Sequence, residues 1–123
     1  MKYIAVEGCT LSFRNPSHSG TITITSPASS KVKADNKGVY KSLLNVVISN
    51  GTDGSTTSSA TGSGVIIATA TKTKADNIFV LRIDDESAVI TMTGTSMSPP
   101  PPTSTYTTTV YISDAGQSKV KAN

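Results

Sequence analysis

The sequence predicts an all-β protein, a small single domain in which three pseudo-threefold strand repeats form a cone or prism. Thr and Ser, at 19 and 18 of 123 residues, are abundant beside Val and Ile, whereas Leu, Glu, Gln and Arg are scarce, which favours strands over helices. The apolar runs are far shorter than the roughly 18 residues that a membrane-spanning helix needs. One segment of the chain also recurs three times.

The recurring segment covers 14 aligned positions, at residues 22–35, 63–76 and 110–123. Each copy begins with a β-rich run and ends in Lys-x-Lys-Ala followed by Asp or Asn. In each triplet both lysines fall on one face of an extended strand and the middle residue on the other. The repeat-turn residues are Lys31, Lys33 and Asp35; Lys72, Lys74 and Asp76; and Lys119, Lys121 and Asn123.

Each copy is expected to consist of an incoming strand, a turn and a return strand. The repeats therefore span about 22–49, 63–95 and 110–123 within a single domain of residues 1–123. The third copy stops at the point where its return strand should begin. Residues 1–13 contain two short strand-like runs that belong to neither of the first two copies. Residues 1–13 are predicted to complete the third unit, which places the two chain ends side by side. Three such units can bury a face that one alone cannot.

Two connections between the repeats are predicted to be loops. Residues 50–64 contain Gly, Ser, Thr, Asn and Asp with almost no apolar side chain, which is typical of a mobile loop. Residues 96–104 include four consecutive prolines, which cannot donate hydrogen bonds to a sheet.

Charge and the inventory of reactive side chains argue against several functions. The net charge of +3 is spread along the chain with few aromatic residues to stack on bases, so no nucleic-acid partner is predicted. His18 is the sole histidine, and no acid–base pair accompanies it, so no enzyme is predicted. The acidic run 84–86 is interpreted as an exposed turn. Glu7 ends the first apolar stretch, so no signal peptide is predicted and assembly in the cytoplasm is expected.

The sequence offers few metal ligands. A closed zinc site needs about four N or S ligands, and the chain holds one cysteine, Cys9, and one histidine, His18. No cofactor is expected, and Cys9 and His18 are the weak candidates for a metal ion.

The lysine pairs permit two interpretations. They can be solvated charges on strand faces, which also discourage edge-to-edge aggregation. Alternatively, they form a basic ring that meets a threefold partner.

The opening residues 3–11, Tyr-Ile-Ala-Val-Glu-Gly-Cys-Thr-Leu, and the repeated Ser/Thr-Lys-x-Lys-Ala-Asp turn resemble PAAR-like proteins. Members of that family are pseudo-threefold β cones that sharpen the spike of type VI secretion systems, phage tails and extracellular injection particles. The resemblance implies a structural tip that caps a trimeric β-helical, VgrG-like spike, one tip per trimer, for membrane piercing. It also implies effector cargo as a further partner, transient contact with a target membrane, and a final location at the particle tip or outside the cell.

Two features of the resemblance differ from the family pattern. The literal Pro-Ala-Ala-Arg motif is absent, and the segments 32–35, 73–76 and 120–123 stand in its place. The apical zinc that the family implies would need three histidines and a cysteine, of which only Cys9 and His18 could match. The alternative function is a carbohydrate- or surface-binding β module of a fibre or adhesin, whose aromatic platform would come from Tyr3, Tyr40, Tyr106 and Tyr111.

Overall fold

The computed structural model describes residues 2–26, 28–29, 31–41, 43–70, 72–75, 78–98 and 102–122. Every regular element in these ranges is a strand, which confirms the predicted all-β class. The strands are β1 (Lys2–Tyr3), β2 (Thr10–Phe13), β3 (Ser19–Ile24), β4 (Lys33–Ala34), β5 (Lys37–Gly38), β6 (Leu43–Thr52), β7 (Thr57–Ile67), β8 (Lys74–Ala75), β9 (Ile78–Phe79), β10 (Ile90–Ser96), β11 (Thr103–Thr108), β12 (Val110–Asp114) and β13 (Lys121–Ala122).

The largest sheet has five strands in the order β11-β10-β7-β6-β3, and every neighbouring pair is antiparallel. Strand β6 shows that one face of this sheet packs on the core. Leu44, Val46 and Ile48 are buried, whereas Leu43 and Val47, at the alternate positions, are exposed. This period of two is the signature of a strand with one face on the core. A separate pair, β12 with β2, contributes Val110 and Ile112 to the same core.

Three two-stranded antiparallel pairs share one pattern of pairing. Two of them, β4–β5 and β8–β9, are hairpins; the third joins β13 to β1 from the two ends of the chain and is called a hairpin below because its register is the same. Each places the Ala of a Lys-x-Lys-Ala motif opposite the first residue of the following strand and the preceding lysine opposite the second. In the third hairpin the following strand is β1, so the first and last strands of the chain pair with each other. The pairs are Ala34 with Lys37, Ala75 with Ile78, and Ala122 with Lys2.

The segments that follow the hairpins are hydrogen-bonded in a closed cycle. The amide of Ala5 donates to the carbonyl of Leu81 (2.8 Å), Leu81 donates to Tyr40 (3.0 Å), and Tyr40 donates to Ala5 (3.0 Å). These three residues occupy the same position relative to their hairpins. Isolated antiparallel β-bridges beside these hydrogen bonds connect the same three segments in the same cyclic order. They join residue 4 to 82, residue 80 to 41, and residue 39 to 6. Three segments that are distant in sequence are therefore held by one another's backbones.

The cycle separates two apolar clusters. Its central residues Ala5, Tyr40 and Leu81 lie in the main core, which fills the space between the long strands. The preceding residues Ile4, Val39 and Val80 point the other way, because side chains alternate along an extended chain. They form a second cluster beneath the hairpins together with Val6, Ala34 and Ala70.

Both predicted loops contain more strand than the sequence indicated. The expectation of a loop over residues 50–64 is wrong, because β6 runs to Thr52 and β7 begins at Thr57. Three of its four glycines, at 51, 62 and 64, are packing positions: a Cβ on Gly64 would lie 2.5 Å from Cγ1 of Ile90, in the strand beside it. Of the expected loop 96–104, Ser96 ends β10 and residues 103–104 open β11, whereas 99–101 lie outside the described residues.

The turn between β6 and β7 is held by Asp53. The hydroxyl of Thr56 donates to its carboxylate, as do the backbone amides of Thr56 (2.8 Å), Ser55 (3.0 Å) and Thr57 (3.1 Å). These bonds favour the ionised form, so they hold the pKa of Asp53 well below its ordinary value, the hydroxyl contributing most.

We expect Asp53→Asn to lower the melting temperature at pH 7, because the amide removes the charge that these donors stabilise. Because the pKa of Asp53 is lower in the folded than in the unfolded state, the ionised carboxylate stabilises the folded protein above the unfolded carboxyl pKa of about 4. This stabilisation is lost as the pH falls from that value towards the folded pKa. The difference between variant and wild type should therefore shrink below about pH 4. Thermal unfolding from pH 7 to pH 2 tests this, with Glu7→Gln as the charge-matched control. A difference that stays constant over this range would contradict the assignment.

Candidate interface face

The hairpin end is defined here as the face formed by the hairpins β4–β5, β8–β9 and β13–β1. Each hairpin is a separate two-stranded sheet, so its strands pair only with each other among the described strands. In the first and third hairpins the carbonyl oxygens of Gly38 and Tyr3 already accept the amides of Glu7 and Ile83, both at 2.9 Å, so that edge is occupied within the chain. The lysine-bearing strand of each hairpin is the edge that a partner strand could pair with. The hairpin end offers three such elements to a partner.

The charge of the protein is strongly segregated towards this end. All nine lysines fall in residues 2–41, 72–74 and 119–121, close to or within the hairpins, whereas six of the eight carboxylates lie outside these ranges. Lys2, Lys31, Lys33, Lys37 and Lys72 are exposed. A basic face of this kind attracts an anionic surface.

The structure brings the predicted repeat-turn residues to the hairpin end as far as it describes them. Lys33, Lys74 and Lys121 are strand residues of the three hairpins, while Lys31, Lys72 and Lys119 lie two positions before them. Lys119 also reaches the neighbouring hairpin, with its Nζ 3.4 Å from Oδ1 of Asp35. Asp76 and Asn123 lie outside the described residues.

Two buried polar residues orient the lysine-bearing turns, and the sequence analysis missed both. Ser29 Oγ accepts the amides of Lys31 (3.2 Å) and Val32 (3.0 Å). Gln117 Oε1 accepts the amides of Lys119 and Val120, both at 2.7 Å. Ser29 and Gln117 occupy the same position of the repeat, four residues before the second lysine. The fourteen-residue alignment contained this signal, because a polar side chain at one position of two copies predicts a cap.

Lys37 is a further residue of this face that the sequence did not indicate. It lies opposite Ala34 in the first hairpin, and its Nζ donates to the carbonyl oxygen of Gly116 at 2.9 Å. The contact joins the first hairpin to the turn that leads into the third. Together with the Lys119–Asp35 ion pair, it links the first hairpin to the third.

The metal candidates Cys9 and His18 flank β2: Cys9 directly precedes the strand, and His18 follows it by five residues. Both line one groove beside β2. His18 Nδ1 is 2.9 Å from Oγ1 of Thr108, and burial raises the pKa of the Cys9 thiol to about 11. In the described part of the chain, no group of three or more His, Cys, Asp and Glu could hold a metal ion.

The acidic run 84–86 is the predicted exposed turn at Asp84 and Glu86, which are both exposed, but not at its middle residue. Asp85 is only 2% exposed; its Oδ2 accepts the amide of Arg82 (2.9 Å), and Thr69 Oγ1 donates to its other oxygen. Glu86 accepts both Nε (2.8 Å) and Nη2 (2.5 Å) of Arg14. These carboxylates organise the turn that leads into β10 and serve a structural purpose.

Each of the four tyrosine rings expected to form a sugar platform already packs against another part of this chain. Lys121 Nζ lies 4.7 Å above the ring of Tyr3, and Arg14 Cζ lies 3.8 Å above that of Tyr111. Tyr40 is buried in the core. The ring of Tyr106 meets His18 edge-on, at 5.0 Å between ring centroids. The alternative function therefore gains no support from these aromatic side chains.

No protein-family model, curated protein or solved structure matches this chain. In the ranges that the structure describes, no helix is long and apolar enough to cross a membrane.

Proposed function

We propose that the protein caps a trimeric β-helical spike, as the PAAR-like resemblance implies, with one copy seated on each trimer through its hairpin end. The cap would sharpen the spike of a contractile injection machine for membrane piercing. Its part in that process is structural, since contraction of the machine supplies the work.

The observation that carries the proposal is the closed cycle through Ala5, Tyr40 and Leu81. A trimer presents three identical surfaces, so a single chain can match it only through a face with three corresponding elements. The hairpin end has three hairpins with one register around that cycle. At the opposite end, the connections from β2 to β3, β6 to β7 and β10 to β11 differ in length, so that end is the poorer match for a trimer.

Backbone pairing and charge support the same orientation. A β-helical trimer that ends abruptly exposes three unpaired strand edges, and the free edges of the hairpins can pair with them. The lysines of the hairpin end then require carboxylates on the spike, and such complementary charges raise the rate and specificity of association. The hairpin end contributes little apolar surface, so charge and backbone pairing dominate this interface.

The test is a binding titration between this protein and the trimeric spike of the contractile machine that carries it, at low and high salt. We expect Lys31→Gln/Lys33→Gln to weaken binding at least about tenfold and to reduce its dependence on salt. The control Thr103→Asp/Thr105→Asp changes the net charge by the same amount on the exposed face of β11. It should bind as the wild type does.

Equal weakening by both double variants would attribute the effect to net charge alone and remove the hairpin end from the interface. Failure of the wild-type protein to bind the spike would end the proposal.

A further inference from the structure

An open seam lies between β2 and β3. Strand β3 is the last strand of the five-stranded sheet, and β2 is the outer strand of the pair it forms with β12. The two strands are consecutive in sequence, yet no pairing joins them within the described residues. A groove of about 540 Å³ lies between them and is lined by residues of both strands and of the loop that connects them.

The corresponding seam between the first two repeats is closed. Strands β6 and β7 pair from Leu43 opposite Ile67 to Gly51 opposite Ala60. In the open seam, β2 and β3 instead turn their unpaired edges towards each other. Unpaired edges of this kind are templates for an added strand.

The floor of the groove is apolar. Leu11 and Phe13 on β2, and Ile22 and Ile24 on β3, are only partly buried while packing against the main core. These residues recur with a period of two, so they point inward on both strands. The outward positions between them, such as Thr23, carry hydroxyls.

The groove contains no Asp, Glu, Lys or Arg among its twelve lining residues. A charged ligand would lose its hydration there without gaining a counter-charge. The chemistry therefore suits an uncharged extended backbone with aliphatic side chains on one face.

We propose that the β2–β3 groove binds an extended segment of a partner protein by strand addition. The segment alternates aliphatic residues, which cover the floor, with hydroxyl-bearing or other small polar residues, which face solvent. Its length is about four to six residues, set by β2 and β3. Because β2 and β3 run in opposite directions, the added strand is parallel to one and antiparallel to the other. This site lies along the side of the body, and the proposal does not depend on spike capping.

The experiment uses the acetylated and amidated peptide Lys-Val-Thr-Val-Thr-Val-Lys with the isotope-labelled full chain, followed by amide chemical shifts. We expect saturable shifts concentrated on β2 and β3. A peptide with Pro in place of the first Thr keeps the aliphatic face but lacks one backbone donor, and it should bind at least about tenfold more weakly.

A matched pair of variants separates groove binding from other edges. Leu11→Lys places a charge on the apolar floor and should abolish the shifts, whereas Leu43→Lys, on the exposed face of β6, should leave them unchanged. Thermal unfolding checks that both variants fold, and the proline peptide keeps the test decisive if Leu11→Lys does not. Absent shifts at millimolar peptide, equal binding of the proline peptide, or shifts confined to the other free edge at β11 would each overturn the proposal.

Discussion

Leu81→Ala is expected to reduce the free energy of unfolding by about 2–5 kcal/mol. The Leu81 side chain is fully buried in the main core, and its backbone belongs to the cycle that joins the three hairpin segments. Truncation loses the favourable free energy of transferring the removed atoms from water to the core. It also leaves a cavity where three segments meet, and the neighbouring side chains have little freedom to move and fill it. Chemical denaturation measures the loss.

The matched control is Leu43→Ala, since Leu43 is 45% exposed on the outer face of β6. A substitution at such a surface position is expected to change stability by about 0.5 kcal/mol or less. Equal effects of the two substitutions would mean that the junction of the three segments is not a packed centre.

Asp85→Ala is expected to cost about 1–3 kcal/mol, because it leaves the part-buried backbone amide of Arg82 without its acceptor. The substitution removes the acceptor of the Arg82 amide and of the Thr69 hydroxyl at a site that is only 2% exposed. Asp85→Asn retains one side-chain oxygen and should lose less. The measurement is again denaturant unfolding.

Asp84→Asn is the neighbouring control. Asp84 is exposed and adopts a positive φ of 72°, which asparagine tolerates well. Its replacement should therefore be nearly neutral. Comparable losses from Asp84→Asn and Asp85→Ala would contradict the structural role of the buried carboxylate.

The all-β class could be predicted from composition, because β-branched and hydroxyl-bearing residues favour strands wherever they occur along the chain. The Lys-x-Lys-Ala turns were equally visible, since each hairpin repeats the same local residues. The pairing across the cycle is different: Ala5, Tyr40 and Leu81 share no side-chain chemistry, because their common role is performed by backbone amides and carbonyls. Sequence patterns report side chains and leave such contacts unmarked.

The errors have the same origin. The stretch 50–64 resembles a loop because its residues are small, yet Gly62 and Gly64 are small to admit Met92 and Ile90 from the neighbouring strand. The run 84–86 resembles an exposed turn because it is acidic, yet Asp85 satisfies donors inside the body. Composition gives the average environment of a residue type, whereas packing assigns each residue its own.

Charge segregation links the candidate interface to the proposed capping role. The hairpins carry lysines on elements that their own backbone pairing already holds in place, so little conformational freedom is lost when a partner binds. An exposed ion pair between Lys119 and Asp35 also links two of them. A preorganised basic face of this kind suits a permanent structural contact.

Native mass spectrometry of the complex with the trimeric spike tests the central claim most directly. If one polypeptide supplies three matching contacts, the only assembly observed will contain one copy of this chain and three spike subunits. Assemblies with two or three copies on one trimer would show that each subunit binds its own copy, and would contradict the account.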